Sequence, residues 1–148
     1  MKKLLFILLL TLSFTPKLQA QGIIGGGLAI WDDMALEIKG DIGLSEQFSL
    51  SPSIDYFFTE GVTVVMFNGD FHYNLGDVDA LNFYPLAGIN FMSVSSDFGS
   101  SSTMGFQAGG GATYALSDSM KLYGEVKFLK NEAMLNNLGF NFGVYFSL

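Results

Sequence analysis

The chain ends on Leu138-Gly-Phe-Asn-Phe-Gly-Val-Tyr-Phe-Ser-Leu148, where every even position is large and apolar and the odd positions are Gly139, Asn141, Gly143, Tyr145 and Ser147. A repeat of two is the repeat of a β-strand, whose successive side chains point to opposite faces. This strand therefore has one apolar face and one small or polar face. The same pattern recurs upstream in Leu36–Leu44, Phe48–Tyr56, Phe67–Leu75, Leu81–Phe91, Phe106–Leu116 and Met120–Phe128. In Leu36–Leu44, for example, Leu36, Ile38, Ile42 and Leu44 alternate with Glu37, Lys39, Asp41 and Gly43. No charged side chain falls on an apolar face in any of these segments. Gly22–Trp31 is apolar or glycine on both faces and is taken as the first strand, because a closed barrel of this kind needs an even count.

The front of the chain carries a different signal. Lys2 and Lys3 precede an apolar run, Leu4–Phe14, that is too short to span a bilayer as a helix, and Leu18-Gln19-Ala20 offers a cleavage site. Met1–Ala20 thus reads as a signal peptide and 21–148 as one domain. No cysteine follows the apolar run, and the chain has none anywhere, so a lipoprotein anchor, disulfides and thiolate metal sites are excluded. Loss of Lys2, Lys3 and Lys17 would move the formal net charge from −7 to −10. The remaining cations are Lys39, Lys121, Lys127 and Lys130, with no arginine, which argues against nucleic acid as a partner. Only 14% of residues are charged while 49% are hydrophobic, yet no apolar run of helix-spanning length follows the signal. Strands with two different solvents on their faces meet both facts. The fold expected is all-β: an eight-stranded antiparallel up-and-down transmembrane barrel with a polar, filled lumen, in the bacterial outer membrane.

Alternation alone leaves a soluble lipocalin-like ligand-binding barrel open, with the faces exchanged. Volume argues against it, because an eight-stranded barrel has an interior just wide enough for side chains, and the 15 phenylalanines lie mostly on the apolar face. The glycine runs Gly25–Gly27 and Gly109–Gly111 lack the helix and lysine of a phosphate loop and read as close-packed points of a barrel wall. Short turns at Ser45–Gln47, Gly76–Ala80 and Ser117–Ser119 would lie on the periplasmic side. On the outer side, Ser93–Thr103 is expected to be the one long, mobile loop. Two aromatic girdles follow at head-group level: Trp31, Tyr56, Phe58, Phe91 and Phe128 outside, and Phe48, Tyr73, Phe83, Tyr114 and Phe146 toward the periplasm.

The segments Tyr84–Phe91 and Gly109–Phe128, with the alternating terminus, resemble the small outer-membrane barrels that include OmpA- and OmpX-type proteins and the opacity or porin-family barrel domains. The resemblance covers Gly22–Leu148 and implies architecture more than activity. It implies contact with outer-membrane lipid and recognition of the C-terminal strand by the barrel-assembly machinery. This chain departs from the family in ending on Leu148 where a terminal aromatic is common.

Inside the barrel the expected feature is a charge network of Glu37, Lys39, Asp41, Asp55, Asp70, His72, Lys121, Glu125 and Lys127. Opposed strand directions set Glu37 against Lys127, Lys39 against Glu125 and Asp41 against Lys121, since buried charges must be paired. His72 and Asp70 share the inward face like a base and its orienting acid, but without a cleft they do not make a catalytic site. Asp32-Asp33 and Ser95–Asp97 offer too few oxygens for calcium, so no metal and no cofactor is expected. The expected role is a monomeric, non-enzymatic barrel with a structural or surface-interaction function and an unknown surface ligand. Porin-like or OmpW-like passage of a small apolar molecule is the alternative.

Overall fold

The computed structural model describes residues 22–132 and 137–148. The expected signal peptide and part of the connection after Asn131 lie outside the described residues. The alternating segments form eight antiparallel strands: β1 (Gly22–Ile30), β2 (Met34–Gly43), β3 (Phe48–Phe57), β4 (Thr63–Tyr73), β5 (Leu81–Ser96), β6 (Gly99–Ala115), β7 (Met120–Asn131) and β8 (Asn137–Ser147). Each pairs with the next, and β8 returns to β1, from Ile23 opposite Ser147 to Ile30 opposite Phe140. Closure leaves the ring without an edge, which is what a sheet needs in a solvent that cannot hydrogen-bond its backbone. A two-residue strand, Asp77–Val78, folds back on Leu81 and Asn82 in the connection after β4, with Asp79 in the left-handed region at φ 57°.

The ring is strongly staggered. Paired residues run from Gly25 through Lys39, Ser53, Asn68, Asn90 and Gly105 to Asn131. That path starts in the terminal half of β1 and finishes at the far end of β7, so the strands tilt steeply against the barrel axis, as closure requires. The start of β1, the end of β8 and the turns after β2, β4 and β6 share one end. In two of these turns, Leu44 N donates to Phe48 O at 2.8 Å and Leu116 N to Met120 O at 2.9 Å.

The two faces separate cleanly. Ile38, Phe67, Phe71, Ile89, Phe140 and Phe142 point outward, while Glu37, Lys39, Asp55, Asp70, Glu125 and Lys127 are buried inside. A contiguous apolar belt of this size cannot face water, so the arrangement is the reverse of a soluble barrel and the lipocalin-like alternative falls.

Two expectations are corrected here. Ser93–Thr103 is not a long loop: β5 and β6 run on as a paired hairpin, Ser96 opposite Gly99, closed by Asp97 and Phe98 alone. Gly99, at φ 143°, supplies a conformation that other residues rarely adopt, and serine and threonine sit readily in strands. Trp31 is the second correction. It is 7% exposed and turned inward, because β1 continues the inward series Gly25, Gly27, Ala29 for one more step. The other ring residues expected at the girdles face outward, and they pair edge to face at both ends: Phe48 with Tyr73 at 5.1 Å and Tyr56 with Phe58 at 6.0 Å.

Candidate functional site

The lumen has three layers, two packed and one open, each following from which inward residues the tilt brings level. At mid-depth lies the ionic layer. Lys39 Nζ makes a hydrogen-bonded ion pair with Glu125 Oε1, and Tyr84 Oη donates to the same oxygen at 2.8 Å. Lys127 Nζ lies 3.1 Å from Glu125 Oε2 and donates to Asp70 Oδ2 at 2.7 Å, while Gln107 Nε2 donates to Asp70 Oδ1. Lys39 also sits 5.3 Å over the Tyr123 ring. An ammonium removed from water needs this density of partners, since an unpaired buried charge costs several kcal/mol.

Among the expected pairs, Lys39 and Glu125 meet. Glu37 and Lys127 do not pair: Glu37 accepts from Tyr123 Oη and Asn141 Nδ2, each at 2.8 Å, and Lys127 turns to Asp70 and Glu125. Tyr123 wins because it shares a hydrogen-bonded row with Glu37, through Gly27 and Gly143. Asp55 accepts from Asn68 Nδ2 at 3.1 Å. Asp41 is half-buried and Lys121 exposed, both at the mouth near the termini, with no ion pair between them. His72 Nε2 stands 3.7 Å from Glu125, and its ring stacks on Tyr84 at 4.3 Å, so it is aligned with Glu125 rather than with Asp70.

The outer layer is apolar. Ala29, Trp31, Ala35, Phe57, Met66, Met92 and Leu129 form one buried cluster, with Val64 and Val94 packed against it. They are inward residues from β1, β2, β3, β4, β5 and β7, gathered toward the outer ends of these strands. Sequence reasoning missed Ala35, Phe57, Met66, Met92 and Leu129 because the expected strands stopped one residue short of them, and Val64 and Val94 by three, while Trp31 lay inside the expected first strand and was given to the girdle. The signal was present in unbroken parity, as in Asp55 to Phe57 and Lys127 to Leu129.

The third layer is an open vestibule of about 450 Å³ at the end where β1 starts and β8 finishes, with His72, Tyr84 and Tyr145 at its roof and Asp41 and Lys121 at its sides. Glycines make room for the large rings. A Cβ on Gly139 would overlap Trp31, one on Gly25 would overlap Tyr145, and one on Gly111 would overlap Tyr84. This accounts for two of the inward positions in the glycine runs. Among the described residues no group of three His, Cys, Asp or Glu could hold a metal ion.

No protein-family model matches the chain. No curated protein matches it either. Solved structures do. The N-terminal β-barrel domain of Pseudomonas aeruginosa OprF matches at a TM-score of 0.75 and 17% identity, over 88% of this chain and all of that one. Neisserial surface protein A matches at 0.61 and 13%, over 87% of this chain and 96% of its own. The attachment invasion locus protein of Yersinia pestis, Ail, matches at 0.56 and 13%, over 87% of this chain and 97% of its own. At these identities the likeness is one of fold. With the outward apolar belt, it gives the chain the closed eight-stranded barrel fold that those outer-membrane proteins share.

Proposed function

We propose that the chain resides in the bacterial outer membrane as a monomeric, non-enzymatic barrel that does not conduct, with a structural role and an outer end that serves for interaction. The observation that carries this reading is the filling of the lumen: an apolar cap lies directly above a cross-braced ionic layer, so the vestibule below leads nowhere. A water-filled pore needs a continuous polar path, and a cluster of tightly packed apolar side chains interrupts it. Neither layer offers a small apolar molecule a route, since the ions obstruct it in the middle.

The neighbouring Ail structure has been solved with a heparin analogue, sucrose octasulfate. A polyanion does not suit this chain, whose outer connections carry Asp32, Asp33, Glu60, Asp97 and Glu132 against Lys130. Processing after Ala20 and delivery by the assembly machinery through β8 complete the reading. Planar-bilayer recording of the purified, heat-modifiable protein tests it. A flat baseline is expected, and stable porin-like steps would refute the closed lumen. Mass spectrometry of the outer-membrane fraction should find Gln21 as the first residue, and recovery as a soluble periplasmic species would refute the location.

A further inference from the structure

We infer that the ionic layer carries out a condensation on itself, in which Lys127 Nζ and the carboxyl carbon of Asp70 become joined by an amide bond. Among the described residues Lys127 is the one ammonium that touches two carboxylates. Its Nζ donates to Asp70 Oδ2 at 2.7 Å and lies 3.1 Å from Glu125 Oε2. Lys39, by contrast, is paired with Glu125 alone. All three side chains of the Lys127 group are buried, and they come from β4 and β7, three steps apart around the ring. An amine held in reacting geometry against a carboxyl group behaves as though its partner were present at about 10⁵ to 10⁸ M.

Each part that the reaction needs has a residue in place. Asp70 is the electrophile: its other oxygen, Oδ1, accepts from Gln107 Nε2, a donor set to hold the charge that gathers there when nitrogen adds to carbon. That carboxyl group is pressed against the wall, where a Cβ on Gly88 would overlap Oδ1. Glu125 is the proton carrier, since Lys39 and Tyr84 occupy its Oε1 and leave Oε2 to Lys127. The apolar cap above keeps outside water from the group.

In the resting ion pair both partners are charged and unreactive. Passage of one proton from Nζ to Oδ2 along their hydrogen bond gives a neutral amine and a carboxylic acid. The nitrogen lone pair then forms a bond to Cγ, and the π pair of the carbonyl moves onto Oδ1. Glu125 Oε2 takes the proton shed by the nitrogen and passes it to Oδ2. As the carbonyl re-forms at Oδ1, the bond from Cγ to Oδ2 breaks and Oδ2 leaves as water. No oxidant and no further reactant is needed. Burial supplies the driving force, because two charges held out of water at a cost are replaced by one neutral amide. The reaction runs once per molecule and ties β4 to β7 across the lumen, so it leaves the non-enzymatic reading untouched.

Intact-mass spectrometry of the whole barrel, folded from urea into lipid vesicles, tests this. The folded chain is expected to become lighter by the mass of one water, and digestion should release a branched peptide that joins Asp70 to Lys127. Chain kept unfolded in urea should retain its full mass. Glu125→Gln should slow the loss by about a hundredfold or more, as removal of a proton carrier does. Asp70→Asn should give the same amide with loss of ammonia in place of water, and Lys127→Arg should lose nothing. Heat-modifiable migration on gels shows that each variant has folded. A folded barrel that keeps its full mass would overturn the inference. So would a linkage to Glu125 or from Lys39, loss of water in the unfolded chain, or a Glu125→Gln barrel that condenses at the parent rate.

Discussion

The middle of the lumen and its outer end occupy the same inward face of the same strands, yet they are built from opposite chemistry. At mid-depth Lys39, Lys127, Glu125 and Asp70 are buried and tied to one another. One or two residues further along the same parity, Phe57, Met66, Met92, Leu129 and Trp31 pack against each other with no charge among them. The contrast shows that an inward face is not a uniform solvent. Ions hold the centre, where eight walls can supply partners on every side, while apolar side chains seal the end that would otherwise meet outside water. The ions then lie beneath a cover, so their interactions are little screened by salt.

The largest effect that would sharpen this comparison is removal of one charge. Lys39→Met leaves Glu125 with one ammonium fewer and should destabilise by about 3 to 5 kcal/mol, whereas replacing Lys39 and Glu125 together by methionine should cost less. A double-mutant cycle from urea unfolding in lipid vesicles reads the coupling, and simple additivity would mean that the ionic layer is not a unit. A lysine on the other side of the wall gives the reference. Ile89→Lys sets an ammonium against lipid with no carboxylate facing it and should cost about 2 to 4 kcal/mol near mid-depth, measured by the same unfolding. Equal tolerance of lysine inside and outside would invert the assignment of faces.

The cap is probed more gently at Gly139, where a new Cβ would meet the Trp31 ring. Gly139→Ala should cost about 1 to 3 kcal/mol by overpacking, and unchanged stability would show that Trp31 does not rest there. The smallest perturbation needs no mutation at all, since Trp31 is the only tryptophan. Its emission should be blue-shifted, poorly quenched by acrylamide and poorly quenched by lipids brominated near the head group. Strong quenching by those lipids would return Trp31 to the girdle and break the contrast between cap and belt.

Much of this was legible before any coordinate. Strand number, the sorting of Phe71, Ile89 and Phe142 from Lys39, Asp70 and Glu125, and the turn after Leu116 all follow from a period of two and from turn residues. Those are local properties, because each residue's face is fixed by its neighbours along the chain. Trp31 could have been placed by the same rule, had the parity of Gly25, Gly27 and Ala29 been followed to the end of the expected first strand. The hairpin was harder. Serine-rich Ser93–Thr103 is compatible with a loop or a strand, and the outcome depends on β5 and β6 already lying side by side below it.

The sequence by itself thus determined that this chain is a two-faced wall of eight strands with charges inside. Which charges meet and what closes the outer end were decided only by the tertiary structure. The reason is that partners across a lumen depend on the stagger accumulated around the closed ring. It carries Gly25 of β1 round to the level of Asn131 in β7. Stagger is a property of closure, and no single strand contains it.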